Sequence, residues 1–271
     1  MSQERRSPRP REPRSKGTGT FLPLSSSRRD SASMSWSTGI SRWSRIVRTR
    51  AIFALAIALP IAAWADVVPL EFCGRQTAAL EGDAARLVRA GLAVPVNKRL
   101  LGYMDEAMAE RKGQWACAPR TLIFESAARE TGVHPAVLLA VAMTESGKKG
   151  APWPWTLNVG GRGFFFRTRE DAWRAAQWLI KEGITNFDIG MMQISWRHNG
   201  WRFQDAWEAL QPSRNILVAA SILRENFEAT GSWAKAIMWY HNRASESRGR
   251  AYLKRFIAHF GDAAAEYGKL R

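Results

Sequence analysis

One segment, the run from Pro135 to Glu145, constrains the fold of this chain more than any other. Every position between these two residues except Thr144 is apolar, so a helix here would be apolar on all sides for about two and a half turns. Pro135 suits the first turn of a helix, because its missing N–H would be unpaired there in any case. Such a helix belongs in the interior of a domain, surrounded by other elements. Glu145 is its only charged residue and lies at its far end.

Apolar spacing elsewhere in the chain predicts further helices and one β-hairpin. The hairpin is predicted within residues 151–167, where extended, aromatic-rich runs flank a glycine-rich turn at 160–163. The predicted helices cover residues 76–93, 98–112, 121–131, 169–182, 213–228, 233–241 and 249–259. The predicted fold class is therefore mainly α, with one small β-hairpin.

The first 65 residues are predicted to precede the mature chain. Residues 1–33 are rich in Arg, Ser and Pro and predict a disordered basic extension, since they cannot bury enough apolar surface to fold. Residues 34–65 have the pattern of a signal peptide: several arginines, an apolar run too short to span a membrane, and Ala63-Trp64-Ala65 before Asp66. An uncleaved anchor is the alternative. Cleavage near Ala65 predicts a periplasmic or secreted protein without a stable membrane span.

The formal net charge of +16 raises nucleic acid as a partner. Residues 1–65 carry +9 of that charge, which leaves +7 for residues 66–271. This remaining charge is moderate and suits another polyanionic polymer at least as well as nucleic acid, so we predict no nucleic-acid partner. Nucleic-acid binding through the basic start is the alternative, and it requires residues 1–65 for function.

Cys73 and Cys117 are the only cysteines of the chain. An even number of cysteines in an exported protein favours a disulfide, and two free thiols are the alternative. Neither the cysteines nor the four histidines have metal-ligand spacing, so no metal and no cofactor is predicted. Residues 66–118, which contain both cysteines, are predicted to form a helical lead-in to the following domain.

Glu145 is the candidate catalytic residue. A carboxyl group at the end of an apolar helix is partly desolvated, which raises its pKa. The negative end of the helix dipole disfavours the ionised form further. Both effects keep the proton on the carboxyl near neutral pH, as a general acid requires. A glutamate exposed beyond the helix end is the alternative.

Four short motifs follow one another in the chain: Glu145-Ser146, Gly190-Met191-Met192-Gln193, Asn215-Ile216 and Trp239-Tyr240-His241. In this order, and behind a buried helix, they resemble the motifs of the soluble lytic transglycosylase domain family. The resemblance covers about residues 119–260, and it implies a lysozyme-like fold for a catalytic domain over 119–271. Three positions depart from the family pattern, since Met191 replaces the usual Leu, Trp239 replaces Ala and His241 replaces the usual Asn.

The resemblance implies an enzyme that cleaves the β-1,4 bond between N-acetylmuramic acid and N-acetylglucosamine in peptidoglycan. Glu145 would donate a proton to the glycosidic oxygen and then accept one from the C6 hydroxyl, which leaves a 1,6-anhydro end. It also implies envelope machinery as a possible partner. The residues expected to bind substrate are Ser146, Met192, Gln193, Tyr240, His241, Trp153 and Trp155.

Two other functions compete with this one. A hydrolytic muramidase normally uses two carboxyl groups that flank the scissile bond. Asp188 is the nearest candidate for the second, although we interpret it as a residue that caps the turn before Gly190. A non-catalytic wall-binding or scaffold protein of a secretion or transfer apparatus is the other alternative, and it has no need of Glu145.

Overall fold

A computed structural model describes residues 66–70, 73 and 83–268 of the 271-residue chain. The predicted basic extension and signal peptide lie outside the described residues. The mainly α prediction is confirmed. The helices are α1 Ala84–Arg89, α2 Leu101–Ala109, α3 Glu125–Thr131, α4 Pro135–Ser146, α5 Arg169–Lys181, α6 Trp196–Asn199, α7 Ala206–Ala209, α8 Pro212–Thr230, α9 Trp233–His241 and α10 Glu246–Gly268. The strands are β1 Val67–Pro69, β2 Ala93–Pro95, β3 Gly147–Lys148, β4 Ala151–Pro152, β5 Thr156–Val159, β6 Arg162–Phe165, β7 Phe187–Ile189 and β8 Ile194–Ser195.

Helix α4 lies at the centre of the larger hydrophobic core, as its sequence requires. Its residues 138–142 have no exposed side-chain surface. Pro135 occupies the first turn, and the imidazole of His134 caps the helix by accepting a hydrogen bond from the Ala136 N–H at 3.2 Å. The long helix α10 packs along α4. The core therefore fixes α4 on every side and determines where its C-terminal end points.

The predicted hairpin is present as β5 and β6, but it forms half of a larger sheet. Strands β7 and β8 extend it to a four-stranded antiparallel sheet in the order β6-β5-β7-β8. The alternation of side chains along each strand divides the sheet into two faces. Leu157, Ile189 and Ile194 face the core. The opposite face carries Phe165, Thr156, Asn158, Asp188 and Ser195, which lie opposite one another in the register.

The lead-in has a small hydrophobic cluster of its own around the buried Trp115. The predicted helix over 76–93 is wrong at its C-terminal end, because α1 stops at Arg89 and β2 pairs with β1 instead. Gly91 lies in the turn between α1 and β2 with a φ of +69°. A Cβ there would come within 2.2 Å of the Lys112 carbonyl oxygen. Only glycine tolerates this close approach.

Polar contacts attach the lead-in to the rest of the fold through α2. The Ser213 hydroxyl, in the first turn of α8, donates a hydrogen bond to the Asp105 carboxyl. Burial raises the pKa of Asp105 to about 6. Beside it, the Arg169 guanidinium forms an ion pair with Glu106 at 2.8 Å and donates to the Trp207 carbonyl at 2.7 Å. The lead-in is therefore held on two helices of the following domain.

The predicted disulfide between Cys73 and Cys117 is present. In the part of the chain that the structure describes, no helix is both long and apolar enough to cross a membrane.

Removing the disulfide is expected to destabilise the protein by about 3–4 kcal/mol, because the bond closes a loop with a sequence separation of 44 residues. The measurement is urea denaturation of the Cys73→Ala, Cys117→Ala double variant beside the oxidised native protein. A reducing agent should shift the native unfolding midpoint by a similar amount and leave the double variant unchanged. Equal midpoints for the native protein and the double variant would contradict the prediction.

Candidate active site

Glu145 lies at the C-terminal end of α4, with its side chain partly exposed. Burial of its carboxyl group raises the pKa of Glu145 to about 8. The negative charge of Asp188 raises this pKa as well, whereas the Tyr252 hydroxyl and the positive charge of Arg255 lower it. The carboxyl therefore keeps its proton at neutral pH and can still release it, as the sequence predicted for a general acid.

The turn that follows β7 lies beside Glu145 and is fixed by one buried side chain, Asn215. The side-chain carbonyl oxygen of Asn215 accepts a hydrogen bond from the Met192 backbone N–H at 2.7 Å. Its amide donates to the carbonyls of Ile189 and Ala209, each at 3.0 Å. Gly190 has a φ of +80°, and a Cβ there would come within 2.5 Å of the Asn215 amide nitrogen. The glycine of this motif is thus required by both its backbone conformation and its close packing.

Two hydroxyl groups hold the carbonyls of the same turn. Ser146 donates to the Met191 carbonyl at 2.7 Å, and Tyr240 donates to the Met192 carbonyl at 2.7 Å. Ser146 and Met192 are both buried. Ser146 ties the end of α4 to the turn and the Met192 side chain packs in the core, and the contact of these two residues with substrate stays a prediction. Trp155 is also buried, only 1 % exposed, and belongs to the core rather than to a binding surface.

Gln193 ends the turn in a left-handed conformation with a φ of +49°. Its side-chain amide donates a hydrogen bond to the Gly190 carbonyl at 2.8 Å, and the residue remains half-buried. No described residue donates a hydrogen bond to the side-chain carbonyl of Gln193. This carbonyl can therefore accept a hydrogen bond from a ligand at the edge of the turn.

Tyr252 was missed by the sequence analysis. This residue of α10 is fully buried, and its hydroxyl approaches the Glu145 carboxyl closely enough to lower the pKa of that group. The two groups do not reach the geometry of a full hydrogen bond, and no other described residue is bonded to the Tyr252 hydroxyl. The His241 ring stacks on the Tyr252 ring at 4.7 Å and 4°. His241 thus contacts the tyrosine that faces the acid, rather than the acid itself.

Asp188 provides a second carboxyl group on the open face of the sheet. The interpretation that it caps a turn is wrong, because Asp188 lies within β7, opposite Asn158 and Ser195. Its carboxyl receives no hydrogen bond from the residues that the structure describes. Burial raises the pKa of Asp188 to about 6, and the neighbouring His198 lowers it. The charge of Asp188 raises the pKa of Glu145, and the bond from Ser146 to the Met191 carbonyl holds the end of α4 at the β7 end of the sheet.

Trp153 and the hairpin aromatics lie at the β6 edge of the sheet. Trp153 is half-buried, and its indole N–H donates to the Phe166 carbonyl at 2.8 Å. Phe164 and Phe165 are exposed, at 38 % and 42 %. The rings of these two phenylalanines therefore have free surface at the sheet edge, unlike the ring of Trp155.

A comparison with protein-family models gives one result for this chain. The model of the transglycosylase SLT domain matches residues 122–251, which include Glu145 and all four motifs. The resemblance found in the sequence is thereby confirmed over these residues, and a domain of this kind suggests activity of the lytic transglycosylase type on peptidoglycan. A search of curated proteins and a search of solved structures each returned no match.

Replacing Glu145 by Gln is expected to stabilise the protein at alkaline pH. The folded protein holds this proton up to about pH 8, whereas an unshifted carboxyl releases it near 4.5. Folding stability therefore falls as the pH rises through this window. Glu145→Gln should be more stable than the native protein at pH 9, on the order of 5 kcal/mol, and equally stable at pH 4.

Urea denaturation at pH 4, 7 and 9 measures this difference. Glu130, an exposed residue of α3, provides the control, because Glu130→Gln should leave the pH dependence unchanged. A difference between Glu145→Gln and the native protein that is the same at every pH would contradict the assignment.

Proposed function

We propose that this protein, in which residues 122–251 match the transglycosylase SLT domain, cleaves peptidoglycan glycan strands by the lytic route. The bond cut is the β-1,4 bond between N-acetylmuramic acid and N-acetylglucosamine, and the product ends in 1,6-anhydro-N-acetylmuramic acid. One observation carries the proposal. Glu145, with its pKa raised to about 8, lies opposite an open polar sheet face at the end of a buried helix.

The reaction uses the Glu145 carboxyl twice. The protonated carboxyl donates its proton to the glycosidic oxygen, and the bond between that oxygen and C1 of N-acetylmuramic acid breaks. The carbonyl oxygen of the 2-acetamido group stabilises the positive C1. The C6 hydroxyl of the same sugar then attacks C1, and the Glu145 carboxylate takes its proton. The glutamate is protonated again at the end, and no water is consumed.

The surroundings of Glu145 suit both steps. Burial holds the proton on before cleavage, and Asp188 strengthens that effect. Tyr252 and Arg255 favour the ionised form, so they stabilise the carboxylate that exists between the two steps. A pKa close to the working pH makes both forms accessible, which is the condition under which one group serves as acid and then as base.

Some of the other site residues bind substrate, and others hold the turn or the tyrosine beside Glu145 in place. The free carbonyl of Gln193 is suited to accept the N–H of a sugar acetamido group. Tyr240 acts through the turn, because its hydroxyl holds the Met192 carbonyl. His241 acts through Tyr252, on whose ring it stacks. Trp153 is suited to line the path of the glycan at the hairpin edge.

Asp188 favours one alternative, a hydrolytic muramidase. In such an enzyme a second carboxylate stabilises the positive sugar carbon or activates a water molecule. The raised pKa of Asp188 and its action on Glu145 fit a carboxyl pair across one site. A non-catalytic wall-binding protein gains less support, because binding alone requires no carboxyl with a raised pKa.

We also propose that the protein acts outside the cytoplasm, in the periplasm or after secretion. The disulfide supports this location, because such bonds persist in oxidising compartments. The pattern of residues 34–65 supports it independently. Envelope machinery as a partner remains a prediction of the sequence analysis.

Digestion of purified peptidoglycan tests the reaction. We expect residues 66–271 to release muropeptides with anhydro ends, which mass spectrometry distinguishes from hydrolysed ends because they are lighter by one water. Glu145→Gln should lower the rate by about 10²–10⁴-fold, as expected when a general acid is removed. Reducing ends would establish the hydrolytic alternative. Full activity of Glu145→Gln would overturn the assignment of the acid.

The pH dependence of kcat/KM tests the roles of Asp188 and Tyr252. Activity is expected to fall near pH 8, where Glu145 loses its proton. Asp188→Asn should move this fall to lower pH, because the charge that raises the pKa of Glu145 is gone. Tyr252→Phe should move it to higher pH, because the hydroxyl that lowers this pKa is gone.

These two variants serve as controls for each other. Shifts in the same direction would contradict the electrostatic account of Glu145. If Asp188→Asn instead abolishes activity at every pH, Asp188 takes part in the reaction as a second catalytic carboxyl.

A further inference from the structure

Lys148, in β3, follows Glu145 closely in the sequence and lies against two aromatic rings. Its ammonium nitrogen is 4.3 Å from the centroid of the Phe165 ring and 4.9 Å from that of the Trp153 ring. Both distances are within the range of a cation–π interaction. The pairing of β3 with β4, Lys148 opposite Ala151, fixes the backbone of the lysine. A flexible side chain is thus held in one place next to the active site.

The sheet register indicates which side of the molecule Lys148 occupies. Phe165 lies opposite Thr156, and Asp188 lies opposite Asn158. Thr156 and Asn158 are two positions apart on β5, so all four residues belong to one face of the sheet. The β7 end of the sheet lies at the end of α4 beside Glu145, because the Ser146 hydroxyl donates to the Met191 carbonyl at 2.7 Å in the turn that follows β7. Lys148 therefore lies on the substrate side of the sheet, at its β6 edge.

The charge of Lys148 has no carboxylate partner among the described residues. The ion pairs among the described residues involve other cations, and the Lys148 ammonium lies over the two rings. The charges that act on Glu145 are those of Asp188 and Arg255. Lys148 is thus a positioned cation without a carboxylate partner among the described residues, three positions after the catalytic acid in the chain.

We propose that Lys148 binds a carboxylate of the N-acetylmuramic acid unit and so distinguishes this sugar from neutral ones. This inference rests on the proposed function. The carboxylate belongs to the lactyl group of the sugar or, in peptide-bearing strands, to the stem peptide attached to it. N-acetylglucosamine carries no such group. A cation at a fixed site on the substrate face therefore favours N-acetylmuramic acid over N-acetylglucosamine at the binding position next to Lys148.

Lys149 is a matched control. It is the next residue in the chain and carries the same charge, but it is exposed, with a φ of +51°. No aromatic ring contact holds it. Substituting Lys149 changes the net charge of the protein as much as substituting Lys148 does. Any difference between the two variants therefore reports the positioned charge rather than the overall charge.

The experiment compares three substrates that share one glycan backbone. The first is peptide-bearing glycan strands, and the second is the same strands freed of peptide, which exposes the lactyl carboxylate. The third is peptide-free strands with that carboxylate converted to a methylamide. The values of kcat and KM are measured for the native protein, Lys148→Met, Lys148→Arg and Lys149→Met, each first shown to be folded by thermal unfolding.

We expect Lys148→Met to raise KM about tenfold on a carboxylate-bearing strand, with little change in kcat. On the methylamide strand, it should match the native protein. Lys148→Arg should restore most of the loss, and Lys149→Met should behave as the native protein does. A loss on peptide-free strands assigns the lactyl carboxylate, and a loss on peptide-bearing strands alone assigns the stem peptide. Equal effects of Lys148→Met on all three substrates would overturn the inference.

Binding measured without turnover separates this inference from the proposed function. Calorimetry on Glu145→Gln and on Glu145→Gln with Lys148→Met gives affinities for the same strands. One outcome is that the native protein cleaves no strand, yet the preference for carboxylate-bearing strands is lost in the Lys148→Met variant. The proposed reaction then fails and the inference stands. If the native protein cleaves the strands, and Glu145→Gln prefers carboxylate-bearing strands to the same extent with and without Lys148→Met, the inference alone fails.

Discussion

The site depends on the three hydrogen bonds of one buried amide, Asn215. They join the first turn of α8 to the Ile189 carbonyl, the Met192 N–H and the Ala209 carbonyl. A buried amide with fewer partners would be costly, so the turn and the helix can pack in only one arrangement. Ser146 and Tyr240 then bind the carbonyls that this turn presents. The end of α4 and the open sheet face are thereby fixed relative to each other.

Within that frame, the acid strength of Glu145 follows from where an apolar helix has to end. Burial of α4 removes water from the carboxyl, which is the largest influence on its pKa. Asp188, Tyr252 and Arg255 then adjust it in opposite directions. The same geometry places the sheet's polar residues opposite the acid, where a sugar strand has to pass. Core packing and chemistry are therefore not separate properties here, since one helix supplies both.

The sequence predicted the parts of this arrangement that depend on local pattern. The apolar run of α4, its first-turn proline, the hairpin and α9 lie where the periodicity indicated. It did not predict that the hairpin belongs to a four-stranded sheet, because β7 and β8 are too short to show alternation. Trp155 and Ser146 were expected at the substrate, yet burial depends on contacts between distant segments. Tyr252 was missed for the same reason, since the rotation of α10 against α4 is set by packing.

Cys73 and the last helix are both fastened to one short segment, residues 114–120. Cys73 is bonded to Cys117, and its N–H donates to the Gln114 side chain at 2.8 Å. A few residues later, the Arg120 guanidinium pairs with Glu266 of the last helix at 2.7 Å. Fraying of α10 from its C-terminal end must therefore break the ion pair between Arg120 and Glu266 before it reaches Ala263 in the core.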